Sequence, residues 1–201
     1  MSKLYFRYGA MNSGKSTSLM QVAYNYEERG MKVKVVKPKI DEKGGNKLVS
    51  RLGVIRESDY LIGPDENIFE IIEDALKDED ISCILVDEAQ FLKSKQVDQL
   101  LEIATLLNVP VICYGLRTDF QRKGFPGSER LLLVSHSIEE LKTICACGKK
   151  AIFNGRKINE EFVFEGDQVE IEIGEEITYE SLCSGCYYKF KKEYDDKKVN
   201  K

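Results

Sequence analysis

Apolar residues keep two rhythms along the first 140 positions of this chain. Residues 3–8 alternate apolar and polar in the manner of a strand, and residues 15–29 read as a helix that Gly30 ends. MKVKVVKP, closed by Pro38, is a second strand. From Asp41 to about Gly63 the sequence is polar and glycine-containing, and a long mobile loop is expected. NIFEIIEDALKD spaces Ile68, Ile71, Ile72 and Leu76 as one helical face. ISCILVD is a continuous apolar run, as in strands buried on both faces of a parallel sheet. KQVDQLLEIATLLN then predicts a helix and VPVICYG a strand. This alternation predicts an α/β fold, a parallel sheet with helices on both faces. After about Leu141 the texture changes. Short strand candidates (KKAIFNG, EFVFEG, QVEIEIG) alternate with turns between two cysteine pairs. The expected organisation is an α/β domain over 1–140, a small β module over 141–192 and a charged tail over 193–201 that frays.

Composition narrows the functional classes. Of the 201 residues, 32% are charged and 42% hydrophobic, a balance that supports a real core. No apolar run approaches the roughly 20 residues that span a bilayer. MSKLYFRYG has no long apolar stretch of the secretory type, so a cytoplasmic protein is expected. A net charge of −4 and a pI near 5.3 argue against a nucleic-acid polymer as partner. Small anions need only a local pocket and stay open.

Gly9-Ala10-Met11-Asn12-Ser13-Gly14-Lys15-Ser16 satisfies GxxxxGK[ST], with a predicted strand before it and a helix after it. Glycines let the backbone wrap closely enough for successive N–H groups to face phosphate oxygens, and the positive helix end adds to the attraction. Lys15 would neutralise β and γ phosphates and Ser16 would ligate Mg²⁺. The loop predicts a nucleoside triphosphate, ATP or a relative.

The apolar strand ISCILV runs into Asp87-Glu88-Ala89-Gln90-Phe91. A strand carrying Asp87 is expected beside the first strand, where the carboxylate can hold magnesium. Glu88 projects differently and can face whatever attacks the γ phosphoryl. Two chemistries fit: polarising water, as in an ATPase, or deprotonating a substrate hydroxyl, as in a kinase. The linear motif leaves both open, together with a nucleic-acid-stimulated ATPase and a non-catalytic regulatory protein.

Six cysteines fall into two groups. Cys83 and Cys113 sit in apolar runs as small hydrophobes. Cys145-x-Cys147 and Cys183-x-x-Cys186 form two tight knuckles, the pattern of a closed, structural zinc site of four thiolates. Two disulfides are the rival, disfavoured where thiols are kept reduced. His136, the only histidine, is distant from both pairs and reads as a surface residue.

GAMNSGKS, DEAQF, YGLRTDFQRKGF, KTICACGKKA and TYESLCSGCYYK follow one another in the order of the type II thymidine kinases, and over about 3–190 the chain resembles that zinc-containing family. The resemblance implies a P-loop, RecA-like sheet with a zinc-bound lasso domain, and transfer of the ATP γ phosphoryl to the 5′ hydroxyl of thymidine or deoxyuridine in nucleotide salvage. It implies Glu88 as general base and Gly9–Ser16 with Asp87, Glu88, Ala89 and Gln90 around ATP. Ser16 and Asp87 would hold magnesium. Met11, Phe91, Leu116 and Phe120 would surround the thymine. Ile173 to Tyr179, including Gly174, Glu175 and Tyr179, matches the lasso over the nucleoside; Glu175 stands where the family pattern has a second glycine. Structural zinc on Cys145, Cys147, Cys183 and Cys186, a homotetramer and feedback inhibition by dTTP are also implied.

Overall fold

The computed structural model describes residues 1–39, 45–49, 53–168 and 177–199, which cluster into two compact units. The first comprises 1–8, 14–116 and 125–140; the second comprises 9–13, 117–124 and 141–201.

The first unit is an α/β layer structure. Its strands are β1 (Leu4–Tyr8), β2 (Lys32–Pro38), β3 (Lys47–Val49), β4 (Ile55–Glu57), β5 (Tyr60–Ile62), β6 (Ile81–Val86), β7 (Val111–Gly115) and β8 (Ser137–Glu140). Its helices are α1 (Lys15–Glu27), α2 (Ile68–Asp78), α3 (Ser94–Leu106) and α4 (Pro126–Val134). Six strands form a parallel sheet in the order β5-β2-β6-β7-β1-β8. The two middle strands, β6 and β7, are almost wholly buried, which is why they read as unbroken apolar runs. Alternate residues serve opposite faces. Phe6, Ile84, Val86, Val111 and Cys113 pack with Leu100, Ile103 and Leu131 in one core cluster. Cys83, Leu85, Ile112 and Tyr114, buried on the other face, belong to the side where α1 packs through Leu19, Met20 and Ala23.

Two expectations for this unit need correction. β6 does not neighbour β1: β7 lies between them. The stretch 41–63 is not one long loop. Among its described residues, β3 and β4 form an antiparallel hairpin and β5 joins the main sheet beside β2. Arg56 on β4 forms a two-pronged ion pair with Glu27 of α1, at 2.7 and 3.1 Å. The polarity that suggested a loop thus belongs to an exposed hairpin and a sheet edge. α4 and β8 escaped the hydrophobic pattern. α4 starts at Pro126, whose missing N–H costs nothing in a first helical turn. β8 is a short, polar edge strand whose pairing with β1 comes from tertiary structure.

In the second unit, β11 (Phe153–Ile158) is the centre of an antiparallel sheet, flanked by β12 (Glu161–Val163) and β13 (Ile177–Leu182). A separate hairpin pairs β9 (Thr143–Ile144) with β10 (Lys150–Ala151). Gly155 stands in mid-strand because a Cβ there would lie 2.6 Å from the Phe162 ring and 2.7 Å from Leu182. The charged C-terminal run is helical as far as it is described: α5 spans Ser184–Val199. Tyr187 is fully buried, Phe190 stacks on Phe162 at 4.3 Å and Tyr194 meets Phe164 edge-on, so one aromatic stripe anchors an otherwise polar helix. QVEIEIG lies almost entirely outside the described residues.

Candidate active site and cysteine cluster

The glycine-framed loop leaves β1 and enters α1. Asn12 and Gly14 have φ of 64° and 76°, the left-handed backbone from which anion-binding turns are built. Gly14 is the N-cap, no acidic residue occupies the first turn of α1, and Lys15 is its first residue. A Cβ on Gly9 would fall 2.3 Å from Ser13 Oγ and 2.5 Å from the Leu141 carbonyl, so the loop closes only around glycine. The first half of the loop is pinned within the second unit. Asn154 Oδ1 accepts the Met11 N–H at 2.7 Å, Ser181 Oγ donates to the Met11 carbonyl, and Thr143 Oγ1 donates to the Asn12 carbonyl at 3.3 Å.

In the first unit, Ser16 Oγ donates to Asp87 Oδ2 at 3.3 Å, across 71 residues of sequence. The α1 N-terminus and the C-terminal end of β6 meet there although β7 separates their strands. Asp87 is buried, and its carboxyl is pushed up to about 6, mainly by loss of hydration and further by the neighbouring Glu88 charge. A hydroxyl beside a carboxylate that resists ionisation suits a cation, which would favour the charged form. Both donors are hard oxygens, as Mg²⁺ requires.

Glu88 has φ 50° and ψ 36°, a left-handed conformation that costs a non-glycine residue about 1–2 kcal/mol. Strain of this kind collects at functional sites. A short 3₁₀ turn, Ala89–Phe91, follows, with Ala89 and Gln90 buried. The Gln90 amide donates to the Glu88 carboxylate and accepts the Leu116 N–H at 3.0 Å. The turn is clamped from α4, where a Cβ on Gly127 would lie 2.4, 2.8 and 3.0 Å from the carbonyls of Ala89, Leu92 and Gln90. Phe91 packs edge-on against Phe125, with ring centres 5.5 Å apart.

Of the other residues singled out from sequence, Met11, Phe120 and Tyr179 lie in the second unit and Leu116 in the first. Ile173, Gly174 and Glu175 lie outside the described residues. Phe120 is 1% exposed, covered by the Arg156 guanidinium 3.8 Å above its ring. Arg156, fully buried, also donates from Nε to the Tyr179 hydroxyl at 3.2 Å and from one Nη to the carbonyls of Asp167 and Gln168 at 2.8 and 3.1 Å. Sequence reasoning missed Arg156, Asn154 and Ser181. Their one available signal was a polar residue recurring inside an apolar strand pattern, easily read as a solvent face.

Cys145, Cys147, Cys183 and Cys186 bring their sulfurs within 4.8 Å of one another, with Cys147 and Cys183 3.5 Å apart. Zn–S bonds of about 2.3 Å set sulfurs about 3.8 Å apart around a tetrahedron, so this cluster has the dimensions to hold a metal ion. The Cys186 N–H, 3.4 Å from Cys183 Sγ, is the main reason the Cys183 thiol is lowered to about 7, which readies one thiolate for a cation.

A left-handed N–H loop opening a helix, a hydroxyl–carboxylate pair at 3.3 Å and a strained second carboxylate on a parallel α/β sheet define a P-loop nucleotide-binding protein. The family model "Thymidine kinase" matches residues 2–187. A protein named thymidine kinase from Enterobacteria phage T4 is 50% identical over 185 residues, covering 91% of this chain and 94% of its own. Its namesake in Mannheimia succiniciproducens is 48% identical over 184 residues, 91% and 93% of the two chains, and that of Shewanella oneidensis 47% over 193 residues, 94% and 98%. The chain belongs to the thymidine kinase family.

Proposed function

We propose that this chain transfers the γ phosphoryl of ATP to the 5′ hydroxyl of thymidine, and of deoxyuridine, for deoxynucleotide salvage. Family membership supports the reaction. The observation that carries the mechanism is the pair of adjacent carboxylates after β6, one within 3.3 Å of Ser16 and the other held left-handed beside it. Phosphoryl transfer asks a protein chiefly for positioning and charge neutralisation. The N–H groups of Gly9–Ser16 hold the phosphates and Lys15 neutralises their charge. Ser16 and Asp87 are the residues that would hold Mg²⁺, which would offset charge on the phosphates.

Glu88 is the general base. It takes the proton from the attacking hydroxyl as the bond to the γ phosphorus forms and ADP leaves, a contribution of roughly 10²–10⁴-fold. The assignments of Ala89 and Gln90 to ATP, and of Met11, Phe91, Leu116, Phe120, Ile173, Gly174, Glu175 and Tyr179 to the nucleoside, rest on the motif match. Zinc is the metal that four clustered thiolates favour, in a closed site that orders the second unit. A homotetramer, feedback inhibition by dTTP and a cytoplasmic setting follow from the same resemblance, and no described helix is long and apolar enough to cross a membrane.

The test is to incubate the purified chain with ATP, Mg²⁺ and each natural nucleoside and to follow ADP release. Thymidine-dependent turnover is expected, with ATP binding retained and most of kcat lost in Glu88→Gln. Nucleoside-independent turnover, or a Glu88→Gln variant at wild-type rate, refutes the assignment.

A further inference from the structure

Gln90 is fully buried, and a primary amide in that position must satisfy both of its ends. Its Oε1 accepts the Leu116 N–H at 3.0 Å, and its Nε2 donates to Glu88 Oε2. The polarity is forced. A backbone N–H can only donate and an ionised carboxylate only accept, so turning the amide over would lose both bonds. Space for Oε1 exists because residue 115 is glycine: a Cβ there would lie 2.7 Å from that oxygen and 3.1 Å from the Gln90 nitrogen. The Gln90 backbone is fixed as well, since its carbonyl closes on Gly127 of α4.

A glutamate swings on three side-chain bonds, and a general base must surrender that freedom before the proton moves. We propose that Gln90 is a positioning residue for Glu88: its amide holds the carboxylate in one orientation and ties it to the backbone at the end of β7. The two-ended anchoring engages one donor and the carbonyl oxygen of the Gln90 side chain within the protein, so, whatever contact residue 90 makes with ATP, the orientation of its amide is passed on to Glu88. This rests on the reading of Glu88 as the base.

The experiment compares Gln90→Met, Gln90→Glu, Glu88→Gln and the Gln90→Met/Glu88→Gln double variant in full-length protein, by kcat, by KM for ATP and thymidine, and by melting temperature. Gln90→Met is expected to lower kcat roughly 10- to 100-fold with both KM values within about threefold of wild type. Gln90→Glu keeps an acceptor for the Leu116 N–H but turns a carboxylate oxygen on Glu88. It should lose kcat at least as severely and melt below wild type, because it buries a second carboxylate against Glu88. In the Glu88→Gln background, Gln90→Met should lower kcat no further. Full kcat in Gln90→Met and Gln90→Glu beside an inactive Glu88→Gln overturns the positioning role alone. A rise confined to the KM for ATP overturns it in favour of a direct ATP contact. The same fractional loss of kcat in both backgrounds overturns it in favour of a purely structural role. Undiminished kcat in Glu88→Gln removes the base reading and this proposal with it.

Discussion

Replacing Asp87 by Asn should stabilise the magnesium-free protein while abolishing catalysis. The Asp87 carboxyl rises from its ordinary 3.8 to about 6, chiefly because burial strips the charged form of water. At about 1.4 kcal/mol per tenfold change in proton affinity, the ionised carboxylate costs the fold about 3 kcal/mol above pH 6. The sign follows from linkage. The folded state keeps its proton to higher pH than the unfolded chain, so stability falls as pH rises from about 4 through about 6 and then levels. Asn removes that cost and can still accept the Glu88 N–H, which now bonds the carboxylate. Its advantage should be full at pH 8 and reduced to about half at pH 5. For a protein of this size 1 kcal/mol moves the melting temperature by about 2–4 °C, so a gain of about 6–12 °C is the ceiling at pH 8. Calorimetry of metal-free-buffer samples (zinc retained, magnesium omitted) at the two pH values measures it. Added Mg²⁺ should raise the melting temperature of the wild type and leave Asp87→Asn unmoved. A variant that is no more stable than wild type, or whose gain is the same at both pH values, refutes the argument that burial of the carboxylate charge is the cause.

Treatment with a chelator, or Cys183→Ser, should unfold the second unit, seen as protease sensitivity after residue 141; on the proposed zinc reading, metal analysis should return one zinc per chain, held by the four clustered cysteines. Thiol titration at pH 8 should find Cys83 and Cys113 silent until global unfolding, because burial pushes the Cys83 thiol up to about 12 and that of Cys113 higher still, while the zinc ligands react once the metal is withdrawn. Gly127→Ala drives a methyl into three backbone carbonyls, the nearest 2.4 Å away, and should cost about 1–3 kcal/mol in denaturant unfolding together with a loss of kcat from the displaced 88–91 turn. Arg156→Met removes a desolvated cation from the Phe120 face and donors from two carbonyls, and should destabilise the second unit by about 2–4 kcal/mol, read by urea titration of its tyrosine signal.

Much of the fold was legible because its signals are local. β1, α1, β2, α2, β6, α3 and β7 each carry a hydrophobic rhythm that their own burial demands. Among the elements that escaped, β8, the β3–β4 hairpin and α5 have polar sequences and exist through partners elsewhere: β1 for β8, Glu27 for β4, an aromatic cluster for α5. Residues of the candidate site divide in the same way. The glycine-framed loop is one unbroken segment, so its pattern of glycines, lysine and serine can be read from eight consecutive letters. Asn154 and Arg156 act on residues 143 and 11 positions away and look, in sequence, like ordinary polar strand residues.

By itself, then, the chain order of residues determined which groups this protein carries: a glycine-framed GKS loop, two adjacent carboxylates and four paired thiols. Only the tertiary structure decided that Asp87 reaches Ser16 across an intervening strand, that the four sulfurs share one centre, and that Gln90 spans 26 residues to Leu116 while holding Glu88. The physical reason is one of range. Backbone geometry and side-chain periodicity are set by near neighbours, whereas hydrogen bonds, burial and the resulting shift in the Asp87 carboxyl depend on which distant segments the packed core forces together.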